Sequence, residues 1–298
     1  MKDFIFKGVA TALVTPFRNG KICFTTFERL IIRQIGAGVS ALVFFGTTGE
    51  SACLSDREKL EIMRFARSFV GQRCKILFGI GSNNAKTAET NAKIAEKFGA
   101  DGLLAVTPYY NKCNQKGLFQ YYQSICSATA LPVVAYSVPA RTGVDILPET
   151  MKKLAEIPNL SGLKDAKGDL VRATELLYLS EGKYAYYSGD DFLNFPLYCL
   201  GAHGSISVLS NLFPASCVEV YNLVQSGKLK EGAALSKKLF PLVKACFSDV
   251  NPIPIKAALS QLGFPVGEPR LPLTGLDRKK RQALQAAVRA FQAEVEKQ

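Results

Sequence analysis

The chain has 298 residues, with 37 lysines and arginines against 25 aspartates and glutamates, a net charge of +12, and a single histidine, His203. With 48% hydrophobic and 21% charged residues, the composition is that of a folded protein with a sizeable core, which excludes a disordered chain. One imidazole also excludes any serine triad that does not use His203 and any zinc site built on two or more histidines.

Residues 1–17 carry Asp3 and Lys7 and match a secretory leader poorly. Short apolar runs then recur with a regular beat. Gly8–Val14, Ala41–Phe45, Lys75–Ile80, Gly102–Val106, Pro132–Tyr136, Ser161–Lys164, Tyr184–Ser188 and Gly204–Val208 predict eight strands. The run Ala41-Leu42-Val43-Phe44-Phe45 is apolar at every position, as in a parallel strand buried on both faces.

Helical segments fill the intervals. Ser55-Asp56-Arg57-Glu58 has the spacing of a capping box ahead of Lys59–Val70, Ser82-Asn83 precedes Ala85–Phe98, and Pro148 with Glu149 opens Thr150–Glu156. Eight successive βα units predict an α/β fold, a (β/α)8 TIM barrel with a C-terminal helical extension. The last segments expected to be helical are Leu212–Gln225, Lys230–Phe247, Pro254–Leu262 and Arg278–Glu296. The expected division is a catalytic barrel over 1–225 and an extension over 226–298.

The eight cysteines are scattered with no C-x-x-C pair, a pattern expected of buried thiols in a reducing cytoplasm. The longest uncharged run, Phe192–Val218, holds Pro196, Pro214, Gly201 and Gly204, so no membrane span is expected. Basic residues interleave with acidic ones along the helical segments, and only Arg278-Lys279-Lys280-Arg281 forms a cluster. Solvated helix faces are expected, with no nucleic-acid partner.

In a TIM barrel the chemistry sits where the strands end, so the residues there are the candidates. Strand two leads into Gly46-Thr47-Thr48-Gly49-Glu50, strand four into Thr107-Pro108-Tyr109-Tyr110-Asn111, and strand five ends in Tyr136-Ser137 with Arg141 beyond. Lys164 ends strand six. A desolvated amine there is suited to forming a Schiff base with a ketone or aldehyde; the alternative is a strand-end lysine paired to Asp165 or Asp190. With no histidine at the mouth, the phenols of Tyr136 and Tyr110 and the Thr47 hydroxyl are candidates for moving protons, although a buried tyrosine also serves simply as core. The Gly-Thr-Thr-Gly turn offers N–H groups and hydroxyls as a carboxylate cradle. His203 is expected to be structural. No phosphate-binding loop, dinucleotide fingerprint or G-x-S-x-G elbow is present.

These mouth motifs, together with Gly162-Leu163-Lys164-Asp165-Ala166, Ser188-Gly189-Asp190-Asp191 and Asn251-Pro252-Ile253-Pro254-Ile255-Lys256, resemble the dihydrodipicolinate synthase family of pyruvate-dependent lyases from about Gly8 to Thr274. The resemblance implies a cytoplasmic enzyme of lysine and diaminopimelate biosynthesis. In it, Lys164 forms a Schiff base with pyruvate, and the derived enamine attacks L-aspartate-4-semialdehyde. It further implies Tyr136 as proton donor and acceptor, Thr47 and Tyr110 as its relay, Thr48 and Ile206 as pyruvate ligands, and Arg141 as guide for the second substrate's carboxylate. Tyr110 would reach in from a neighbouring subunit of a homo-oligomer, a tetramer built as a dimer of dimers. No cofactor and no metal are implied.

Departures from the family pattern are Ser137 for a common Asn and Cys113 for a common Pro. Lysine-sensitive members have a Glu and one or two His where this sequence has Thr87, Asp56 and Lys59, while Ser51, Asn83 and Tyr109 remain, so weak or absent lysine inhibition is expected. The rival within the superfamily is an N-acetylneuraminate or 2-keto-3-deoxy sugar acid lyase. Thr47-Thr48, Tyr110 and Arg141 in combination favour the synthase.

Overall fold

The computed structural model describes residues 4–295; Glu296, the expected end of the last helix, lies outside them. Eight parallel strands close into a barrel: β1 (Gly8–Ala12), β2 (Ala41–Phe44), β3 (Lys75–Gly79), β4 (Gly102–Val106), β5 (Val133–Ser137), β6 (Leu160–Asp165), β7 (Ala185–Ser188) and β8 (Gly204–Ser207). Each pairs with the next in sequence, and β1 closes the ring against β8 through Gly8↔Gly204 and Ala10↔Ile206. The (β/α)8 expectation is met.

The strands are buried on both faces because they separate two apolar layers. Alternate side chains, among them Ala10, Val43, Leu77, Leu104, Val134 and Ile206, fill the barrel, while their neighbours pack outward against the helical ring. The barrel is thus a packed core, with open space only at the ends of the strands.

Boundaries shift from the sequence reading for local reasons. β1 stops at Ala12 rather than Val14 because the Val14 N–H donates to Asn211 Oδ1 at 3.1 Å and the chain leaves the sheet. The helix expected from Leu212 begins at Pro214, after a 3-10 turn over Leu209–Asn211. A two-residue ribbon, Phe17–Arg18 with Lys21–Ile22, and the short helices Pro139–Thr142 and Asn194–Cys199 carry no periodicity that a sequence could show.

The capping box forms as expected at helix Asp56–Val70: the Ser55 N–H donates to Glu58 Oε2 at 2.9 Å, and the Glu58 N–H returns to Ser55 Oγ at 3.3 Å. Beyond the barrel lie helices Leu229–Cys246, Ile253–Gln261 and Arg278–Val295, which pack on one another and on the barrel's own last turn. In the basic cluster, Lys280 pairs with Asp249 and Arg281 with Glu268. No helix among the described residues is long and apolar enough to cross a membrane, and no disulfide joins cysteines among them.

Candidate active site

The C-terminal ends of the strands surround a cavity of about 590 Å³. Thr47, Tyr136 and Arg141 line it, joined by Ser51, Lys59, Thr87, Tyr109 and Asn251. Arg141 and Lys59 give the wall a cationic character suited to anionic small molecules.

Lys164 stands beside this wall. The register aligns it with Tyr136 on one side and Tyr187 on the other, so all three point into the barrel at one level. The residue is 5% exposed, and its amine lies 4.2 Å from the centre of the Tyr136 ring. Room for it depends on Gly189: a methyl group there would come within 3.1 Å of Lys164 Cε and 2.8 Å of Ala166 Cβ.

Neither carboxylate that might have neutralised Lys164 does so. Asp165 faces the other side of the strand, where it bonds the Arg172 guanidinium and accepts from the Tyr186 hydroxyl at 2.9 Å and the Lys167 N–H at 3.1 Å. Burial pushes its carboxyl up from the usual range, while Arg172 and Tyr186 draw it back down. Asp190 accepts from the Phe192 N–H at 3.0 Å, and burial likewise raises its carboxyl. Among the described residues no ion pair involves Lys164, so the paired-lysine alternative fails.

Buried Arg172 also reaches Asp145 at 2.9 Å, and Asp145 accepts from Ser137 Oγ at 2.9 Å. Ser137 and Asp165 are register partners one step beyond Tyr136 and Lys164. This network therefore clamps the ends of β5 and β6 from outside and fixes the relation of the two inward side chains.

The turn after β2 is shaped by two non-glycine residues in the left-handed region, Phe45 (φ 59°) and Glu50 (φ 55°), which bracket a 3-10 turn over Thr47–Gly49. Such strain needs an anchor. Glu50 and Lys256, each with side chains 1% exposed, meet at 2.7 Å. Lys256 also donates to Thr15 O at 3.1 Å, and Glu50 Oε2 accepts from the Arg270 N–H at 2.8 Å. Burial lowers the Lys256 ammonium from its ordinary value, and Glu50 opposes that shift.

Thr48 is buried and its Oγ1 accepts from Asn251 Nδ2 at 2.9 Å. Ile206, buried within the barrel, is held by the end of β8, where Asp191 Oδ2 accepts from the N–H groups of Val208 and Leu209 at 2.9 and 2.8 Å. Arg141 sits on helix Pro139–Thr142, tied down where Thr107 Oγ1 donates to Thr142 Oγ1 at 3.0 Å.

One candidate is not brought together with the rest inside one chain. Tyr110 projects outward, 89% exposed with φ 71°, and does not line the cavity. Thr47 and Tyr136 share the cavity without a direct hydrogen bond among the described residues. His203 lies before β8, at the far end of the barrel, where its Nδ1 accepts from the Tyr186 N–H at 3.2 Å; burial lowers its imidazole, and its place is structural.

Sequence reasoning missed a role for Asn251, although the motif containing it was visible. Its partner Thr48 lies 203 positions away.

The model of the Dihydrodipicolinate synthetase family matches residues 5–291. The chain is 41% identical to the 4-hydroxy-tetrahydrodipicolinate synthase of Caldicellulosiruptor bescii over 285 residues, covering 95% of this chain and 96% of that one. Among solved structures it is similar to dihydrodipicolinate synthase from Thermotoga maritima, at 39% identity with a TM-score of 0.95 over 97% of this chain and 99% of that one. It is likewise similar to the chloride-inhibited dihydrodipicolinate synthase of Acinetobacter baumannii complexed with pyruvate, at 38% identity with a TM-score of 0.94 over 96% and 99%. With the barrel, the mouth motifs and the whole-length match in agreement, the chain belongs to the dihydrodipicolinate synthase family of lyases.

Proposed function

We propose that this protein condenses pyruvate with L-aspartate-4-semialdehyde to 4-hydroxy-tetrahydrodipicolinate, the entry step of diaminopimelate and lysine biosynthesis, through a Schiff base on Lys164. The observation that carries this reading is the Lys164 amine, buried without a carboxylate partner, 4.2 Å from the Tyr136 ring and beside a cavity with cationic walls.

The neutral amine attacks the ketone carbon of pyruvate, and loss of water leaves an imine. Its cationic form makes the adjacent methyl acidic, and removal of a methyl proton gives an enamine. The enamine carbon attacks the aldehyde of the second substrate, whose amine then displaces Lys164 as the ring closes. Each stage needs a proton moved near the imine. We assign this to Tyr136, whose ring lies 4.2 Å from the amine, with Thr47 and, from a neighbouring subunit, Tyr110 as the relay. Thr48 and the opening N–H groups of the Thr47–Gly49 turn, which have no partner within the turn, receive the pyruvate carboxylate over a floor formed by Ile206. Arg141 takes the carboxylate of the aldehyde substrate.

An outward Tyr110 fits a site completed by a second copy of the chain, in a dimer or a tetramer of two dimers. The barrel over 1–225 and the extension over 226–298 then act as one catalytic unit, because Asn251 of the extension lines the cavity. Eight cysteines without a disulfide among the described residues suit a cytoplasmic enzyme.

Incubation with pyruvate followed by borohydride reduction tests the reading. A stable adduct on Lys164 is expected, with turnover on aspartate semialdehyde and none on N-acetylneuraminate or 2-keto-3-deoxy sugar acids. Modification elsewhere, or none, overturns it.

A further inference from the structure

We infer that Asn251 is a positioning residue: by donating to Thr48 Oγ1 it turns the Thr48 hydroxyl into an obligate donor toward the ligand, setting the site's affinity for the carboxylate of a 2-oxo acid. The inference deepens the reading above and rests on it. Asn251 stands at the corner between helices Leu229–Cys246 and Ile253–Gln261 and is 7% exposed. Its Nδ2 reaches Thr48 Oγ1 at 2.9 Å, while its backbone oxygen accepts from Arg141 Nη2 at 3.2 Å. One residue of the extension therefore touches both groups assigned to substrate carboxylates.

A hydroxyl has a single proton to give. An amide nitrogen can only donate, so the Thr48 oxygen accepts on that side and its O–H is left to donate elsewhere; among the described residues it has no protein acceptor. A carboxylate oxygen is the complementary ligand atom. Packing alone does not account for an asparagine here, because its Oδ1 is buried with no partner, a condition that an apolar residue of similar size would avoid. Retaining the amide is explained by what its nitrogen does to Thr48.

The pyruvate concentration giving half-maximal borohydride trapping at Lys164 reads this role directly. Asn251→Ala should raise it by roughly three- to tenfold, the range for a lost neutral hydrogen bond, with kcat at saturating pyruvate changed less. Asn251→Asp, close in shape but able only to accept, turns the Thr48 proton inward and adds a charge, so it should raise the midpoint further than Asn251→Ala does. In a Thr48→Val background, Asn251→Ala should add less than about twofold, since the bond it breaks is already gone. Should Asn251→Ala not fold by circular dichroism, Asn251→Ser carries the same cycle. An unchanged midpoint in the folded variant, an Asp variant as good as the parent, or effects that multiply with Thr48→Val would overturn the inference while leaving the lysine chemistry intact. A parent protein that pyruvate and borohydride do not modify overturns both.

Discussion

The Lys164 amine faces the Tyr136 ring at 4.2 Å from adjacent strands in register, so the proposed nucleophile and the proposed proton-transfer group are fixed by one pair of hydrogen-bonded strands. Lys164→Ala should abolish borohydride trapping. Tyr136→Phe keeps the ring but removes the phenol, so trapping should persist while kcat falls by about 10²- to 10⁴-fold. Mass spectrometry and steady-state kinetics on the same samples separate the two outcomes.

Tyr110, exposed within its own chain, provides a test of the shared site. Mixing Lys164→Ala subunits with Tyr110→Phe subunits should restore activity above the sum of the parts, because hybrid dimers contain one site with neither defect. Random pairing at equal amounts gives about a quarter of parental sites intact. No gain on mixing, under conditions where subunits exchange by native mass spectrometry, would place Tyr110 outside the relay.

The Lys256–Glu50 pair holds the strained turn that carries Thr47 and Thr48. Lys256→Met leaves a buried carboxylate alone and should destabilise by about 3–5 kcal/mol. The double variant with Glu50→Gln should recover part of that loss. Urea denaturation of the four proteins measures both, and a single variant within about 1 kcal/mol of the parent would show the pair to be dispensable.

Lys59 and Thr87 line the cavity beside Ser51 and Tyr109, so an effector with a cationic amine meets a like charge at Lys59 and finds the neutral Thr87 at the position expected to hold a carboxylate in lysine-sensitive members. Lysine at about millimolar concentration should leave the rate unchanged, and Thr87→Glu with Lys59→His should introduce inhibition. Inhibition of the parent in a coupled assay would contradict this reading.

Glu58 is held at about 2, first by its hydrogen bonds from Arg270 and then by Ser55. A folded value below the unfolded one means the ionised carboxylate stabilises the fold. That contribution is complete above the unfolded value of about 4.3 and is lost as pH falls toward about 2. Glu58→Gln should therefore lower stability by about 1 kcal/mol at neutral pH, and the gap to the parent should narrow between about pH 5 and pH 3. Chemical denaturation at both pH values reads the gap.

How much of this was legible in the sequence follows from what each feature depends on. The strand beat was readable because burial on both faces forces runs such as Ala41–Phe44 to be apolar at every position. Lys164 and Tyr136 were readable as strand ends, and closed-barrel geometry supplies the rest of their relation. The capping box of helix Asp56–Val70 was readable because both its bonds lie within four residues. What remained hidden was contact between distant segments: Asn251 with Thr48, Lys256 with Glu50, and the Asp145–Arg172–Asp165 clamp, none of which leaves a periodic trace. The ribbon at Phe17–Arg18 and Lys21–Ile22 escaped because two residues are too short to alternate.

The turn bearing Thr47 and Thr48 is anchored by Lys256 and by the Arg270 N–H, more than two hundred positions further along the chain. During synthesis, the barrel strands can therefore all have emerged while the substrate turn still lacks its anchors. The left-handed backbone at Glu50 is held in part by nearby bonds, from Thr15 Oγ1 to Gly49 O at 2.7 Å and from the Cys53 N–H to Glu50 O at 2.8 Å, and gains its buried ion pair only once the extension has docked. The end of the chain thus completes the anchoring of a turn near its beginning, and a chain ending before Lys256 would lack the Lys256–Glu50 pair.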